Sequence, residues 1–157
     1  MTAIRFRAST PDDVEALFDL WQRAVNATHQ FVSVEDRARI ADLVKDRYLP
    51  SAPLTVACDA DDVPLAFMGM TGNSIDSLFV DPERHGRGVG RALIDIAKDR
   101  YPNGVTVEVN EQNEQAAGFY RYLGFGVTGR SPVDGQGKPY PLLTMAWPNA
   151  RGRPVDQ

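Results

Sequence analysis

The sequence predicts a single domain of the α/β (α+β) class, and three observations support this. The chain has 157 residues, of which 43% are hydrophobic and 24% charged, values typical of one globular domain. Seven segments have the alternating or β-branched pattern of strands, and four have apolar residues at helical spacing. No repeat or linker interrupts them, so we expect one domain over residues 1–148, followed by a polar tail over 149–157.

The chain begins with a strand and two helices. Apolar and polar residues alternate in Ile4–Arg7, which predicts the strand. The first helix starts at Thr10-Pro11-Asp12-Asp13, because Thr10 suits the N-cap, Pro11 the first turn and Asp13 the positive helix end. Ser33 begins the second helix, which we expect to run to about Tyr48 and end at Leu49-Pro50, since the residue before proline avoids the helical region.

Five strands and two helices are predicted in the rest of the chain. Leu54–Cys58 and Leu65–Met70 flank an acidic turn and form a hairpin, and Ser74–Val80 is the next strand. The remaining elements are a helix that ends near Tyr101, a strand over Val105–Val109, a helix over Asn113–Leu123 stopped by Gly124, and strands over Phe125–Arg130 and Leu142–Trp147.

Composition excludes several classes of protein. The 17 Lys and Arg residues against 21 Asp and Glu residues give a net charge of −4, which argues against a general binder of nucleic acid. No apolar run approaches the roughly 20 residues of a membrane helix, and the first residues lack the apolar core of a signal peptide, so we expect a cytoplasmic protein with no membrane partner. One cysteine, Cys58, cannot form an internal disulfide, and with two histidines it does not suffice for a structural zinc site, so no metal is expected.

A basic loop interrupts this acidic chain. Residues 84–91 contain three arginines, one histidine and three glycines between a predicted strand and a predicted helix. Glycines let backbone N–H groups approach a ligand, helix N-termini favour anions, and arginine suits phosphate. Arg87 and Arg91 oppose the positive helix end, so a purely structural turn would gain little from them. The loop therefore predicts a phosphate or pyrophosphate site, with a solvated turn as the alternative.

Two nucleotide-binding patterns fail in this chain. The dinucleotide pattern Gly-x-Gly-x-x-Gly is not met, because the sixth position from Gly86 is Arg91. Residues 124–131 resemble a Walker A loop with arginine in place of lysine, but no apolar strand leads into Gly124 and Pro132 follows where a helix should begin. Nucleotide hydrolysis is therefore not expected.

Two motifs resemble those of the GNAT superfamily of acyl-CoA-dependent N-acyltransferases. The family's pyrophosphate loop, Arg/Gln-x-x-Gly-x-Gly/Ala, is matched by residues 85–90, with His85 in place of Arg or Gln. The pattern Asn-x-x-Ala-x-x-x-Tyr-x-x-x-Gly-Phe is matched at Asn113, Ala116, Tyr120, Gly124 and Phe125. The resemblance extends from the Ile4 strand to Trp147. Residues 27–29, 110–115, 129–131 and 138–142 also resemble the small bacterial YjaB-type members of this superfamily.

This resemblance implies a fold and an acetyl-CoA site. The GNAT fold is a mixed, mostly antiparallel sheet of about seven strands flanked by about four helices, and a splayed parallel pair, here Ser74–Val80 and Val105–Asn110, holds the CoA. A backbone N–H near Leu78 or Phe79 would polarise the thioester carbonyl, and Asn113 would hold the pantetheine arm. The full set of expected cofactor-binding residues is Leu78, Phe79, Val80, His85, Gly86, Arg87, Gly88, Val89, Gly90, Arg91, Asn113 and Tyr120.

The resemblance also implies catalytic groups. An amine attacks the thioester directly, and Tyr120 holds the family's position for the acid that protonates the leaving thiolate; the alternative is a core aromatic. A lysine-like amine has a pKa of about 10.4, so a base is useful, and the candidates are Asp76, Glu108, His29 or a water chain. The expected acceptor-binding residues are His29 and Phe31, and the other aromatic candidates for this pocket are Trp21, Tyr48 and Tyr140.

The sequence therefore predicts an N-acetyltransferase that moves the acetyl group of acetyl-CoA to a primary amine of a small molecule or of a protein lysine. The alternatives are a non-catalytic acyl-CoA-binding sensor and a nucleotide-binding regulator that uses the glycine loop for another phosphate. Both a monomer and a homodimer are compatible with the sequence.

Overall fold

The computed structural model describes residues 4–28, 31–84 and 88–149. Its seven strands form one mixed sheet in the order β1-β2-β3-β4-β5-β7-β6. The strands are β1 (Arg5–Ala8), β2 (Leu54–Cys58), β3 (Pro64–Thr71), β4 (Ser74–Val80), β5 (Val105–Asn110), β6 (Gly126–Ser131) and β7 (Leu142–Trp147). Four helices of nine or more residues lie in the described ranges: α1 (Val14–Thr28), α2 (Val34–Leu43), α3 (Val89–Arg100) and α4 (Glu114–Tyr122). The predicted fold class, with seven strands and four helices, is confirmed.

The chain divides into two compact units, residues 1–70 with 77–95, and residues 71–76 with 96–157. In the first unit, β1 pairs antiparallel with β2, and β2 pairs antiparallel with β3. The core of this unit joins one face of α1 to the inner residues of the strands. Its buried members are Leu17, Leu20, Trp21, Val25, Leu49, Leu54, Val56, Cys58 and Phe67. Cys58 is therefore a small core residue, as expected. None of the helices in the described ranges is long and apolar enough to cross a membrane.

The start of α1 is anchored by a buried carboxylate. Thr10 is the N-cap of a short 3-10 turn that leads into α1, as predicted. Asp13 is only 8% exposed, and its carboxylate accepts hydrogen bonds from the Thr10 N–H at 2.7 Å and from both terminal nitrogens of Arg7 at 2.8 and 2.9 Å. Asp13 therefore ties the end of β1 to the first turn of the helical segment.

The Arg7–Asp13 pair predicts a pH-dependent contribution to stability. Hydrogen bonds from Arg7 hold the pKa of Asp13 below its ordinary value of 3.8. A carboxyl with a depressed pKa stabilises the fold above its unfolded pKa, and this stability is lost as the pH falls through the folded pKa. We expect Asp13→Asn to lower the free energy of unfolding at neutral pH by about 1–3 kcal/mol. The deficit should shrink below pH 3.8. Thermal melts across the acid range test this, with the exposed Asp12→Asn as control; a deficit independent of pH would contradict it.

The second helical region extends beyond its expected end. After α2 the chain continues as a π-helical turn over Val44–Tyr48 and a helical turn over Leu49–Ser51, so the prediction that Leu49-Pro50 ends the helix was wrong. The Leu49 N–H donates to the Val44 carbonyl five residues back, and the Ser51 hydroxyl donates to the Arg47 carbonyl. The wider π turn shifts the carbonyls of the preceding turn, and this accommodates a proline that has no N–H to donate.

The second unit is built on β5, β6, β7 and the beginning of β4. β4 runs parallel to β5, with Ser74 opposite Thr106 and Ile75 opposite Val107. β7 lies between β5 and β6 and is antiparallel to both. On β5 the three valines at 105, 107 and 109 are buried, whereas Glu108 is exposed. Because successive side chains alternate between faces, Asp76 and Glu108 belong to the same, solvent-facing side of the sheet.

A lysine joins two elements of the second unit. The Lys98 ammonium, near the end of α3, donates to the Leu123 carbonyl at 2.6 Å. It also lies 4.9 Å from the centroid of the Trp147 ring and 6.0 Å from that of Phe125. The charge satisfies a carbonyl just past the end of α4 and packs over aromatic faces, so Lys98 connects α3 to the chain that follows α4.

Candidate functional site

Of the basic loop over residues 84–91, the structure describes Arg84 and residues 88–91, and Gly88 lies directly before α3. Gly88 has φ +75°, and apart from its own backbone, its chain neighbours and the adjoining helix, no atom of the described residues lies within 4 Å of the place where a Cβ would stand. Its carbonyl accepts the Ala92 N–H at 3.0 Å, which starts the helix. Val89 is buried, Gly90 is half-buried and Arg91 is exposed. The sequence-predicted residues His85, Gly86 and Arg87 lie outside the described residues.

The N-terminus of α3 has the electrostatics of an anion site. Its first turn contains no acidic residue, so no side chain there neutralises the positive end of the helix dipole. Arg91, in the same turn, adds a positive charge on the exposed side. Unpaired N–H groups at such a terminus bind phosphate groups well, and the open Gly88 allows close backbone approach. The anion site at this terminus stays a prediction.

Aromatic contacts hold the end of β4 that precedes this loop. Leu78, Phe79 and Val80 are half-buried. The Phe79 ring packs edge-on against Trp21, with centroids 6.4 Å apart, and also contacts Phe67 at 5.6 Å. The side chain at the expected oxyanion position is therefore fixed by aromatic neighbours of its own unit.

Asp81 fixes the backbone directly after β4. The Asp81 N–H donates to the Leu65 carbonyl at 2.9 Å, and its carboxylate pairs with Arg23 of α1 at 2.6 Å. This ion pair, which sequence reasoning missed, joins residues that are far apart in the chain. The position of Asp81 directly before Pro82 and the basic loop is the sequence feature that could have pointed to its role.

A cavity of about 320 Å³ lies between α1 and α2. Trp21 is the aromatic candidate that lines it, together with Gln22, Val25, Asn26, Val34, Arg37, Ala38 and Ala41. Arg37 donates to the Asn26 side-chain oxygen at 3.3 Å, while its buried Nε has no hydrogen-bond partner among the described residues. Phe31 is half-buried and does not line this cavity, and His29 lies outside the described residues. Tyr48 instead contacts β4, with its hydroxyl 2.6 Å from the Ser77 Oγ.

In the second unit, Tyr120 lies on the inner face of α4. It is 6% exposed, and its ring packs edge-on against Phe119 and Phe125, with centroids 5.2 and 5.3 Å away. Burial raises the pKa of Tyr120 above its ordinary value of 10.0, so the hydroxyl keeps its proton at neutral pH. Within the described part of the chain, no hydrogen bond to this hydroxyl is found.

Asn113 is the N-cap of α4. Its side-chain oxygen accepts the Ala116 N–H at 3.1 Å, and its own N–H donates to the Asn110 carbonyl. This capping explains its burial and its place in the motif. Its expected contact with the pantetheine arm stays a prediction.

The two carboxylates that sequence reasoning offered as bases have different surroundings. The Thr71 hydroxyl donates to Asp76 Oδ2 at 2.6 Å. Glu108 has no hydrogen bond or ion pair with any described residue, and both carboxylates are exposed. No cluster of three or more His, Cys, Asp or Glu suited to a metal ion occurs among the described residues.

The sequence of this chain was compared with protein families and with known proteins. The family description "Acetyltransferase (GNAT) domain" matches residues 21–144. The chain is 50% identical over 147 residues to the peptidyl-lysine N-acetyltransferase YjaB of Escherichia coli strain K12, covering 94% of this chain and 99% of the relative.

Among the solved structures that are similar to this chain are the following two. The solution structure of apo YjaB from E. coli superimposes with a TM-score of 0.89 at 49% identity, covering 94% of this chain and 99% of that one. The PaiA N-acetyltransferase of Thermoplasma acidophilum in complex with coenzyme A has a TM-score of 0.71 at 20% identity, covering 92% and 98%. The latter likeness concerns the fold.

Proposed function

The chain belongs to the GNAT family of acetyltransferases, and from this premise we propose that it transfers the acetyl group of acetyl-CoA to the side-chain amine of a lysine in a peptide or protein. The observation that carries the choice of acceptor is the 50% identity to a peptidyl-lysine N-acetyltransferase along nearly its whole length. The exposed acidic face with Asp76 and Glu108 supports it, since carboxylates attract a cationic amine.

The N-terminus of α3 fits the pyrophosphate of CoA. The open, positive-φ Gly88 and the first turn without acidic residues form a cradle that a side chain would obstruct. The backbone N–H groups of Gly88, Val89 and Gly90 would hold the phosphate oxygens, with Arg91 beside them. Acetyl-CoA supplies an activated thioester when bound there; the chain supplies orientation, the oxyanion donor near Leu78 or Phe79, and proton transfer.

Tyr120 fits the role of the acid. A hydroxyl that keeps its proton at neutral pH, and that has no partner among the described residues, is available to donate to a thiolate. Desolvation around the ring disfavours the charged tyrosinate, so we expect the proton to be handed over as the thiolate leaves rather than before it.

Of the two carboxylates, Glu108 is the better candidate base, because the Asp76 carboxylate already accepts a hydrogen bond from the Thr71 hydroxyl. We expect Glu108→Gln to lower kcat/KM for a lysine peptide about a hundredfold near neutral pH. The deficit should narrow in alkaline solution, because more of an amine with a pKa of about 10.4 is then neutral. Initial rates across this range test the prediction, with Asp76→Asn as the matched variant. A deficit equal at every pH, or a larger one for Asp76→Asn, would contradict it.

Thiol release and acetyl-lysine formation test the proposed function. With acetyl-CoA and a panel of lysine peptides and small amines, we expect release of CoA thiol coupled to a peptide mass increase of one acetyl group. Binding of acetyl-CoA without thiol release would instead support a sensor. A larger thermal stabilisation by ATP than by CoA would support a nucleotide-binding regulator and refute the cofactor assignment.

A further inference from the structure

Three residues of the first unit form a chain of hydrogen bonds beside the expected oxyanion position. The Tyr48 hydroxyl and the Ser77 Oγ are 2.6 Å apart. Ser77 Oγ also accepts the backbone N–H of Gly69 at 3.1 Å. Ser77 directly precedes Leu78 and Phe79 on β4, so this network contacts the strand one residue before the expected oxyanion donor.

Gly69 makes room for the network. A Cβ at this position would collide with the Tyr48 hydroxyl and would lie 2.9 Å from Ser77 Oγ and 3.0 Å from a methyl group of Leu54. Real Cβ atoms essentially never come that close to a neighbour. The absence of a side chain on β3 is therefore what lets the hydroxyl reach Ser77.

The hydrogen bond from Gly69 ties the backbone of β3 to a side chain of β4. The N–H of Gly69 on β3 donates to the Ser77 Oγ on β4. Because the same oxygen lies 2.6 Å from the Tyr48 hydroxyl, the Ser77 side chain is held from both β3 and the helical segment that contains Tyr48.

The π-helical turn sets the position of Tyr48. Tyr48 is the last residue of this turn, and it is followed by Leu49, which is buried in the core, and Pro50, which has no N–H. Single π turns inside helices are frequent at functional sites. The turn that sequence reasoning missed thus delivers the hydroxyl to β4.

We propose that Tyr48 and Ser77 are positioning residues, which hold β4 so that the backbone N–H of Leu78 or Phe79 points at the acetyl carbonyl oxygen. The inference rests on the proposed function. Neither side chain needs to touch the reacting atoms. An oxyanion donor contributes mainly in the transition state, so its displacement lowers kcat and changes substrate affinity little.

Steady-state kinetics with acetyl-CoA and a lysine peptide test this. We expect Tyr48→Phe and Ser77→Ala each to lower kcat about tenfold, and the double variant to be no worse than the poorer single one, because the two act as a unit. KM for acetyl-CoA should change by less than about twofold. Ser77→Thr keeps the hydroxyl and should retain activity. Melting temperatures identify any variant that is simply unfolded.

Gly69 provides an independent test of the geometry. Gly69→Ala should lower kcat strongly in the native background and less in the Tyr48→Phe background, because the closest of the three clashes, that with the Tyr48 hydroxyl, is then gone. Gly129→Ala is the matched control on β6, where Thr144, at 3.9 Å, is the nearest described residue that a Cβ would meet. If the two Gly69 effects are simply additive, or if Tyr48→Phe and Ser77→Ala raise KM with kcat unchanged, the positioning role is overturned. A native protein that transfers no acetyl group would refute the proposed function, and the inference with it.

Discussion

Replacing Tyr120 by phenylalanine is expected to lower kcat for acetyl transfer about 10²–10⁴-fold while leaving acetyl-CoA affinity nearly unchanged. The ring is buried between Phe119 and Phe125, and phenylalanine preserves that packing. The variant therefore removes one proton donor from the site with little change in the surrounding core. Turnover is measured as thiol release, and affinity by calorimetry with CoA.

Tyr122→Phe is the matched control for this experiment. Tyr122 lies two residues further along α4 and is 79% exposed, so loss of its hydroxyl should change neither turnover nor stability. Burial raises the pKa of Tyr120, so this tyrosine should cause no decline in native activity between neutral pH and pH 10.0. Unaltered turnover in Tyr120→Phe would remove it as the acid and restore the interpretation of Tyr120 as a core aromatic.

Gly88→Glu is expected to abolish cofactor binding. A side chain at the N-terminus of α3 would project into the space that the pyrophosphate needs, and a carboxylate there would repel the phosphates and neutralise the helix dipole. The position has φ +75°, so any side chain also adds backbone strain. The measurement is the CoA dissociation constant, and the thermal shift by CoA provides a second readout.

Gly137→Glu separates these effects. Gly137 has φ +77° and, like Gly88, it has no described atom beyond its own chain neighbourhood within 4 Å of the place where a Cβ would stand. The substitution therefore adds the same strain and the same charge away from α3. We expect this control to bind CoA normally. Normal affinity in Gly88→Glu, or equal losses in both variants, would refute the assignment of the cradle to the N-terminus of α3.

Local sequence signals predicted most of the fold. The bounds of Leu54–Cys58, Ser74–Val80 and Leu142–Trp147 agree with the structure, because turn residues at their ends and β-branched or alternating residues inside them act over a few positions. Thr10 as N-cap is confirmed for the same reason. The rule that a helix ends before proline failed at Pro50, since a π turn several residues earlier changes which carbonyls the helix uses.

The candidate site was predicted less completely. Two motifs identified the family, and the comparisons confirm it. The motifs could be recognised because the residues of each lie close together in the sequence. The contact between Tyr48 and Ser77 joins residues 29 positions apart, and the Arg23–Asp81 ion pair joins still more distant ones. No local sequence pattern predicts either contact. Tyr48 was recognised only as one aromatic among several.

The contacts of Lys98 affect whether an acetyltransferase of this kind could acetylate its own lysines. Its amine already contacts the Leu123 carbonyl and the face of the Trp147 ring, and acetylation would remove the positive charge that takes part in both contacts. Lysines 45, 98 and 138 are the chain's only lysines among 17 cationic residues, and arginine offers the same charge without a nucleophilic amine. Lys45 lies over the Phe18 ring. The protein thus presents few lysine amines that could compete with its acceptor for the acetyl group.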